Sequence, residues 1–345
     1  MELWREKWTS SLVPSQLYPF HLLFFCLILL VLSDDHPSAS VGFLAEYPIV
    51  HTSGVLLLLL SFIWLLLWLH LDATKPPPRV AVLSGFGINC ETETMAVFEM
   101  AGATADRIHV NRLVNGEANL SDYDIMAVPG GFSFGDHLGS GRLMGNRLRF
   151  GLRDQVRAFV TAGKPVIGIC NGFQVLVKMG LLPGDEEVSL TQTASLALND
   201  IGRYDDRWVT LEFDQSSPCV WTRGIERIRV PVRHGEGKFV TDDRGLLDKW
   251  AETGQLVARY VDPSTEYPGS SDEVLPYPVS PNQSWRNVAG VCDPTGLVFG
   301  LMPHPEANHS TWLGATWTRE AVEHGEGEGM AIFRNAVEYV ASRSR

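Results

Sequence analysis

A chain of 345 residues with 45% hydrophobic and 20% charged side chains has ample material for a buried core, which excludes an intrinsically disordered protein. A formal net charge of -12, with no basic stripe, excludes a nucleic-acid backbone as partner. Cys26, Cys90, Cys170, Cys219 and Cys292 are scattered without CxxC spacing, so they form neither a disulfide framework nor a metal-site motif, and a reducing, cytoplasmic compartment is expected.

The first 78 residues differ from the rest. Phe20 to Leu32 is an apolar run too short to span a bilayer comfortably, whereas Gly54 to Leu71 is broken only by Ser61 and His70 and is a transmembrane candidate. Flanking basic residues are too few to set a topology. A cleavable signal fits poorly, because the first apolar run begins late and a second follows. The competing expectation is a mis-assigned start: no methionine occurs between Met1 and Met95, and translation from another codon near Leu71 to Val80 would make the tail an upstream artefact. Membrane contact follows only if the tail belongs to the native protein. Lys75 to Pro78 closes it, since consecutive prolines stop a helix. The tail holds three basic and six acidic side chains, leaving it at -3 and residues 79–345 at -9, so both parts are acidic.

From Arg79 onward, short apolar runs alternate with amphipathic stretches, the pattern of βαβ units around a mainly parallel sheet. Val80 to Leu83 reads as the first strand and Glu91 to Ala101 as a helix with acidic residues at its start. Strands follow at Ile108 to Val110 and Tyr123 to Val128, the latter ending in Pro129-Gly130-Gly131. Leu148 to Ala162 reads as one helix closed by Gly163, and Pro165 to Ile169 as a buried strand with Cys170 at its carboxyl end. Val175 to Met179 continues a helix stopped by Gly180. Leu182 to Pro231 reads as strand-rich and irregular, Val298 to Leu301 as a strand, and Met330 to Ala341 as a core-packing helix.

Gly168-Ile169-Cys170-Asn171-Gly172 has the form of a nucleophile elbow between strand and helix. A side chain presented on so tight a turn strains its own backbone, and the residues two before and two after must be small. The first N–H groups of the following helix favour a thiolate there. A cysteine at a strand end is ordinarily a packing residue; the two glycines reverse that reading. Cys90 also lies between a strand and a helix but lacks the glycines, and is read as structural or pocket-lining. Leu301 to Glu306 supplies an imidazole, His304, between two prolines, with Glu306 two residues on to orient it. Gly130-Gly131 ends another strand, and the amides of Gly131 and Asn171 are candidates for an oxyanion hole.

These motifs, together with Asn89-Cys90, Gly131-Phe132-Ser133-Phe134-Gly135-Asp136, His234-Gly235-Glu236-Gly237 and Asn287-Val288-Ala289-Gly290, resemble the class I glutamine amidotransferases. The Gly-Phe-Ser-Phe-Gly-Asp and His-Gly-Glu-Gly segments are similar to those of the glutaminase subunits of phosphoribosylformylglycinamidine synthases. The resemblance covers about residues 79 to 340. It implies a flavodoxin-like α/β fold with helices on both faces of the sheet. It also implies hydrolysis of glutamine to glutamate, with ammonia passed to a separate synthetase subunit that makes formylglycinamidine ribonucleotide. Cys170 is then the nucleophile, His304 the proton shuttle, Glu306 its orienter, and Gly131 with Asn171 the oxyanion hole. Gln174 would help hold substrate, and His234 and Glu236 are fainter candidates. No cofactor is implied for this subunit; ATP and magnesium belong to the synthetase, with which a small accessory subunit is also expected. Ser280-Pro281-Asn282-Gln283-Ser284 and Gly135-Asp136-His137-Leu138-Gly139 depart from the family pattern, changes read as bearing on partner contacts more than on chemistry. Two alternatives remain: a triad enzyme serving another acceptor or acting as a γ-glutamyl hydrolase, and a membrane-tethered, non-catalytic binding domain on the same scaffold.

Overall fold

The structure, a computed structural model, describes residues 60–64, 76–264, 272–319 and 322–343. The chain divides into two units, Met1–Lys75 and Pro76–Arg345. Of the first unit only the helical stretch 60–64 is described, so the expected apolar run at 20–32 and most of that at 54–71 lie outside the described residues. Among the described residues no helix is long and apolar enough to cross a membrane.

In the second unit, strand β1 (Arg79–Ser84) is followed by helix α1 (Glu91–Met100), strand β2 (Thr104–His109), the short helix α2 (Val110–Val114) and strand β3 (Ile125–Val128). Helices α3 (Arg142–Gly151) and α4 (Arg153–Thr161) lead to β4 (Val166–Ile169) and α5 (Asn171–Lys178). Then come β5 (Ser195–Leu198), β6 (Asp205–Phe213), β7 (Arg227–His234), β8 (Glu236–Val240), α6 (Arg244–Glu252) and β9 (Ala258–Val261). Strands β10 (Val288–Cys292) and β11 (Val298–Leu301) and helix α7 (Met330–Arg343) complete the unit.

Nine strands form one sheet in the order β2-β1-β3-β4-β11-β10-β9-β6-β7, while β5 and β8 pair separately. The half from β2 to β11 is parallel throughout, and the strands from β10 to β7 extend it antiparallel. Every residue of β3, β4 and β11 is buried, as expected of strands covered on both faces. The crossovers run from β1 outward to β2 and, in the opposite direction, from β3 to β4; with the right-handed sense that parallel connections take, their helices fall on opposite faces. On one face α1 meets α7, with the rings of Phe98 and Phe333 edge-on at 5.1 Å; on the other α3 meets α5.

Three elements differ from expectation for visible reasons. Strand β2 begins four residues early because it is a sheet edge, where Thr104, Asp106 and Arg107 face solvent and the apolar signal is lost. The single helix expected over 148–162 is two helices that break at Leu152, whose φ of -129° leaves the helical region. The first of them starts at Arg142, where Gly141 at φ 73° turns the chain against the backbone of Gln174.

Candidate active site

Because β1, β3, β4 and β11 run parallel, the turns after their carboxyl ends open at one rim of the sheet. Cys170 follows β4 directly, with φ 51° and ψ -107°, a conformation that holds a non-glycine residue under roughly 1–3 kcal/mol of strain. The flanking glycines have separate duties. A Cβ on Gly172 would sit 1.7 Å from the Val128 carbonyl oxygen, and one on Gly168 would sit 2.7 Å from that of Gly172. The start of α5 is thus wedged between the ends of β3 and β4, and only hydrogen fits. The Cys170 N–H donates to the Leu301 carbonyl at 2.8 Å, while its sulfur faces the Arg233 carbonyl at 3.5 Å.

Register then brings the imidazole to the thiol. Leu301 pairs with Ile169, so Cys170 stands one residue beyond the paired end of β4 and His304 three beyond that of β11. His304 donates its backbone N–H to Pro231 of β7 at 2.8 Å, and Pro305 opens the short 3-10 turn Pro305–Asn308 behind it. Its Nδ1 lies 2.6 Å from Glu306 Oε1, and both side chains are buried. Burial alone would pull this imidazole pKa down. The Glu306 carboxylate, followed by Cys170 and then Cys90, overrides it and holds the pKa well above the ordinary 6.5. Among the described residues His304 Nε2 and Glu306 Oε2 have no hydrogen-bond partner. A ring with Nδ1–H given to the carboxylate and Nε2 bare is equipped to take a proton from a thiol.

The amides of Gly131 and Asn171 follow from the same logic. Val128 pairs with Gly168, so the two residues stand equally far past the paired ends of β3 and β4. Gly131, at φ 147°, runs so close to the turn after β1 that a Cβ would lie 2.6 Å from the Gly87 carbonyl oxygen and 2.8 Å from the Asn89 nitrogen. That turn binds on either side of it, Phe132 N–H to Gly87 at 2.8 Å and Asn89 N–H to Gly130 at 3.1 Å. The N–H of Gly131 itself, like that of Asn171 in the first turn of α5, has no acceptor among the described residues. Two such donors beside a strained thiol can stabilise a tetrahedral oxyanion.

Gln174, expected to hold substrate, has its amide engaged by the protein: its Oε1 accepts from Asn171 Nδ2 at 2.9 Å and its Nε2 donates to the Glu236 carbonyl at 2.5 Å. Asn171 Oδ1 in turn accepts from Ser133 N–H at 3.0 Å, and Glu236 Oε2 from Ser140 N–H at 3.0 Å. This chain of bonds ties the loop after β3 to α5 and β8, and gives Glu236 a bracing position. His234 is 2% exposed, with neither ring nitrogen partnered among the described residues. Burial, helped by the nearby charge of His304, lowers its pKa to about 3, so it is a neutral ring in the wall of the site. The segment Ser280–Ser284, which departs from the family pattern, is largely buried: Asn282 Nδ2 bonds the Tyr260 hydroxyl at 3.2 Å, and Ser284 Oγ accepts from Phe239 N–H at 2.9 Å.

One contact of the site escaped sequence reasoning. The Arg233 carbonyl is backbone and carries no residue signature. Cys90, read as structural or pocket-lining, presents its sulfur within 4.8 Å of ligand atoms of both His304 and Glu306. Burial raises its thiol pKa, an effect that the neighbouring His304 only partly offsets. The asparagine beside it accepts the thiol proton, Sγ to Asn89 Oδ1 at 3.3 Å.

A family profile described as a CobB/CobQ-like glutamine amidotransferase domain matches residues 77–340. The chain is 39% identical over 274 residues to the phosphoribosylformylglycinamidine synthase subunit PurQ of Methanococcus maripaludis, covering 77% of this chain and 98% of that protein. It is 42% identical over 243 residues to the subunit of the same name in Treponema denticola, covering 67% and 88%. Among solved structures it is similar to a chain of the structure of PurLQS from Thermotoga maritima, with TM-score 0.56 and 28% identity over 76% of this chain and 99% of that one.

Proposed function

The chain belongs to the CobB/CobQ-like glutamine amidotransferase domain family, and from that premise we propose that it is the glutaminase subunit of a PurQ-type phosphoribosylformylglycinamidine synthase. One observation carries the reading: a thiol on a strained strand-to-helix turn beside an imidazole anchored by a buried carboxylate. His304 Nε2 takes the Cys170 proton as the sulfur attacks the side-chain amide carbon of glutamine. The N–H groups of Gly131 and Asn171 receive the oxyanion. The imidazolium returns its proton to the departing nitrogen, ammonia leaves, and a thioester remains. Water, deprotonated by the same imidazole, hydrolyses the thioester to glutamate and regenerates the thiol. Glu306 keeps the ring in the required tautomer, and Gln174 orders Asn171 and the loop beyond it.

The relatives' name, that of one subunit of a synthase, supports a separate synthetase subunit that receives the ammonia; its use of ATP and magnesium and a small accessory subunit complete the proposal. The catalytic domain is assigned to residues 79–345, working in the cytoplasm without a cofactor of its own. The test is glutamate release from glutamine by the full chain, alone and with a PurL-type synthetase. Release that rises with the synthetase and disappears in Cys170→Ala, while Cys170→Ala still binds the synthetase, is expected. Turnover surviving in Cys170→Ala overturns the assignment of the nucleophile.

A further inference from the structure

Cys90 has no part in the mechanism above, yet its sulfur points at the two residues that form the base. Cys90 Sγ, a ring nitrogen of His304 and a carboxylate oxygen of Glu306 all lie within 4.8 Å of one another. We propose that these three residues form a binding site for a thiophilic divalent cation of the zinc class, and that its occupancy silences the enzyme by capturing the catalytic imidazole.

The chemistry of the donors is selective. One sulfur, one imidazole nitrogen and one carboxylate oxygen make a borderline-soft set suited to zinc, not to magnesium or calcium. Tetrahedral ligation at about 2.0–2.3 Å spaces ligand atoms roughly 3.3–3.8 Å apart, so the cluster must contract by on the order of 1 Å. The backbone beside the cluster carries no side chain. Gly130 borders the cluster, and a Cβ there would lie 2.8 Å from His304 Cε1 and 3.3 Å from Cys90 Sγ. A cation bound through His304 Nδ1 would take the place of the proton between that nitrogen and Glu306 Oε1, now 2.6 Å apart, while buried Glu306 Oε2 has no hydrogen-bond partner among the described residues and is a further donor. Cys90 is partly exposed and supplies the entrance. Binding exchanges the thiol proton for the metal, and the proton leaves to solvent; no oxidation is involved. Cys170 is not a ligand in this site.

The silencing rests on the proposed role of His304, whereas the binding does not, and a spectroscopic test separates them. Cobalt(II) added to the full-length Cys170→Ala protein should give a sulfur-to-cobalt charge-transfer band in the near ultraviolet, which zinc abolishes by competition. Cys90→Ser should lose that band, with apparent affinity falling at least about tenfold. A band lost in Cys170→Ala but kept in Cys90→Ser would mean that the nucleophile binds the metal, and would overturn the proposal. So would the absence of a band in both. In the turnover assay, zinc should inhibit the native protein reversibly, with recovery on chelation, and magnesium should not. A protein inactive under every condition would defeat the proposed function while leaving the cobalt result to decide the site.

Discussion

The turns after β1 and β4 invite comparison, because each carries a cysteine from a strand into a helix and each cysteine reaches the same imidazole. Cys90 caps α1 with φ -101° and ψ 19° and is partly exposed, between Asn89 and Glu91. Cys170 caps α5 with φ 51° and ψ -107° and is buried, with glycines two before and two after it that nothing larger could replace. Proximity to a base is therefore common to both. What separates them is the strain that aims one sulfur at the rim, together with two free amides next to it. On the proposed mechanism, backbone strain and the free amides, not proximity to the imidazole, single out the nucleophile.

The largest effect should appear when the two cysteines are exchanged for alanine in turn. Cys170→Ala should lower glutaminase turnover by about 10⁴-fold or more, whereas Cys90→Ala should lower it by less than about tenfold; similar losses would erase the distinction. Glu306→Gln, which keeps the shape but permits the wrong tautomer of His304, should reduce turnover by about 10²–10⁴-fold with little change in KM. Gly172→Ala tests whether packing alone creates the Cys170 turn: with Val128 in the way, unfolding should become about 3 kcal/mol or more easier by urea titration. Asn89→Ala, at the relaxed turn, should cost about 1 kcal/mol or less.

The smallest effect distinguishes the two buried imidazoles through pH. His234 has a folded pKa of about 3 against an ordinary 6.5, so the unfolded chain takes up a proton that the folded one refuses. Its contribution to stability is complete above about pH 6.5 and is lost as pH falls toward 3, with a slope of up to about 1.4 kcal/mol per pH unit. His234→Gln should flatten that acid limb. His304 has the opposite sign: its pKa is raised, so the stability it contributes is complete below 6.5 and lost as pH climbs through its elevated value. The stability difference between native protein and Glu306→Gln should therefore shrink toward alkaline pH. Denaturation midpoints across a pH series check both.

What could be read from the chain alone tracks how the residues are covered. Strand β11 was legible to the residue and β4 nearly so, because two-sided burial leaves an uninterrupted apolar run. The edge strand β2 and the break at Leu152 were not, since a polar edge and one non-helical residue leave no periodic trace. In the site, Cys170, Gly131 and His304 announced themselves through glycine and proline neighbours, which mark turns wherever they occur. The approach of Cys90 to Glu306 was invisible, since it arises from strand order between β1 and β11 and not from any spacing along the chain. The helix that carries Gln174 was clear, but the Glu236 carbonyl that engages its amide has no letter of its own.

The pairing of β4 with β11 has a consequence for synthesis. Strand β4 emerges from the ribosome long before its neighbour, because β5 through β10 are translated between them. During that interval the nascent chain holds a thiol with neither base nor the carbonyl of Leu301 to fix its amide. On the proposed mechanism, a polypeptide arrested or clipped ahead of His304 would be inert toward amides, and ammonia would be released only by molecules whose sheet has been completed.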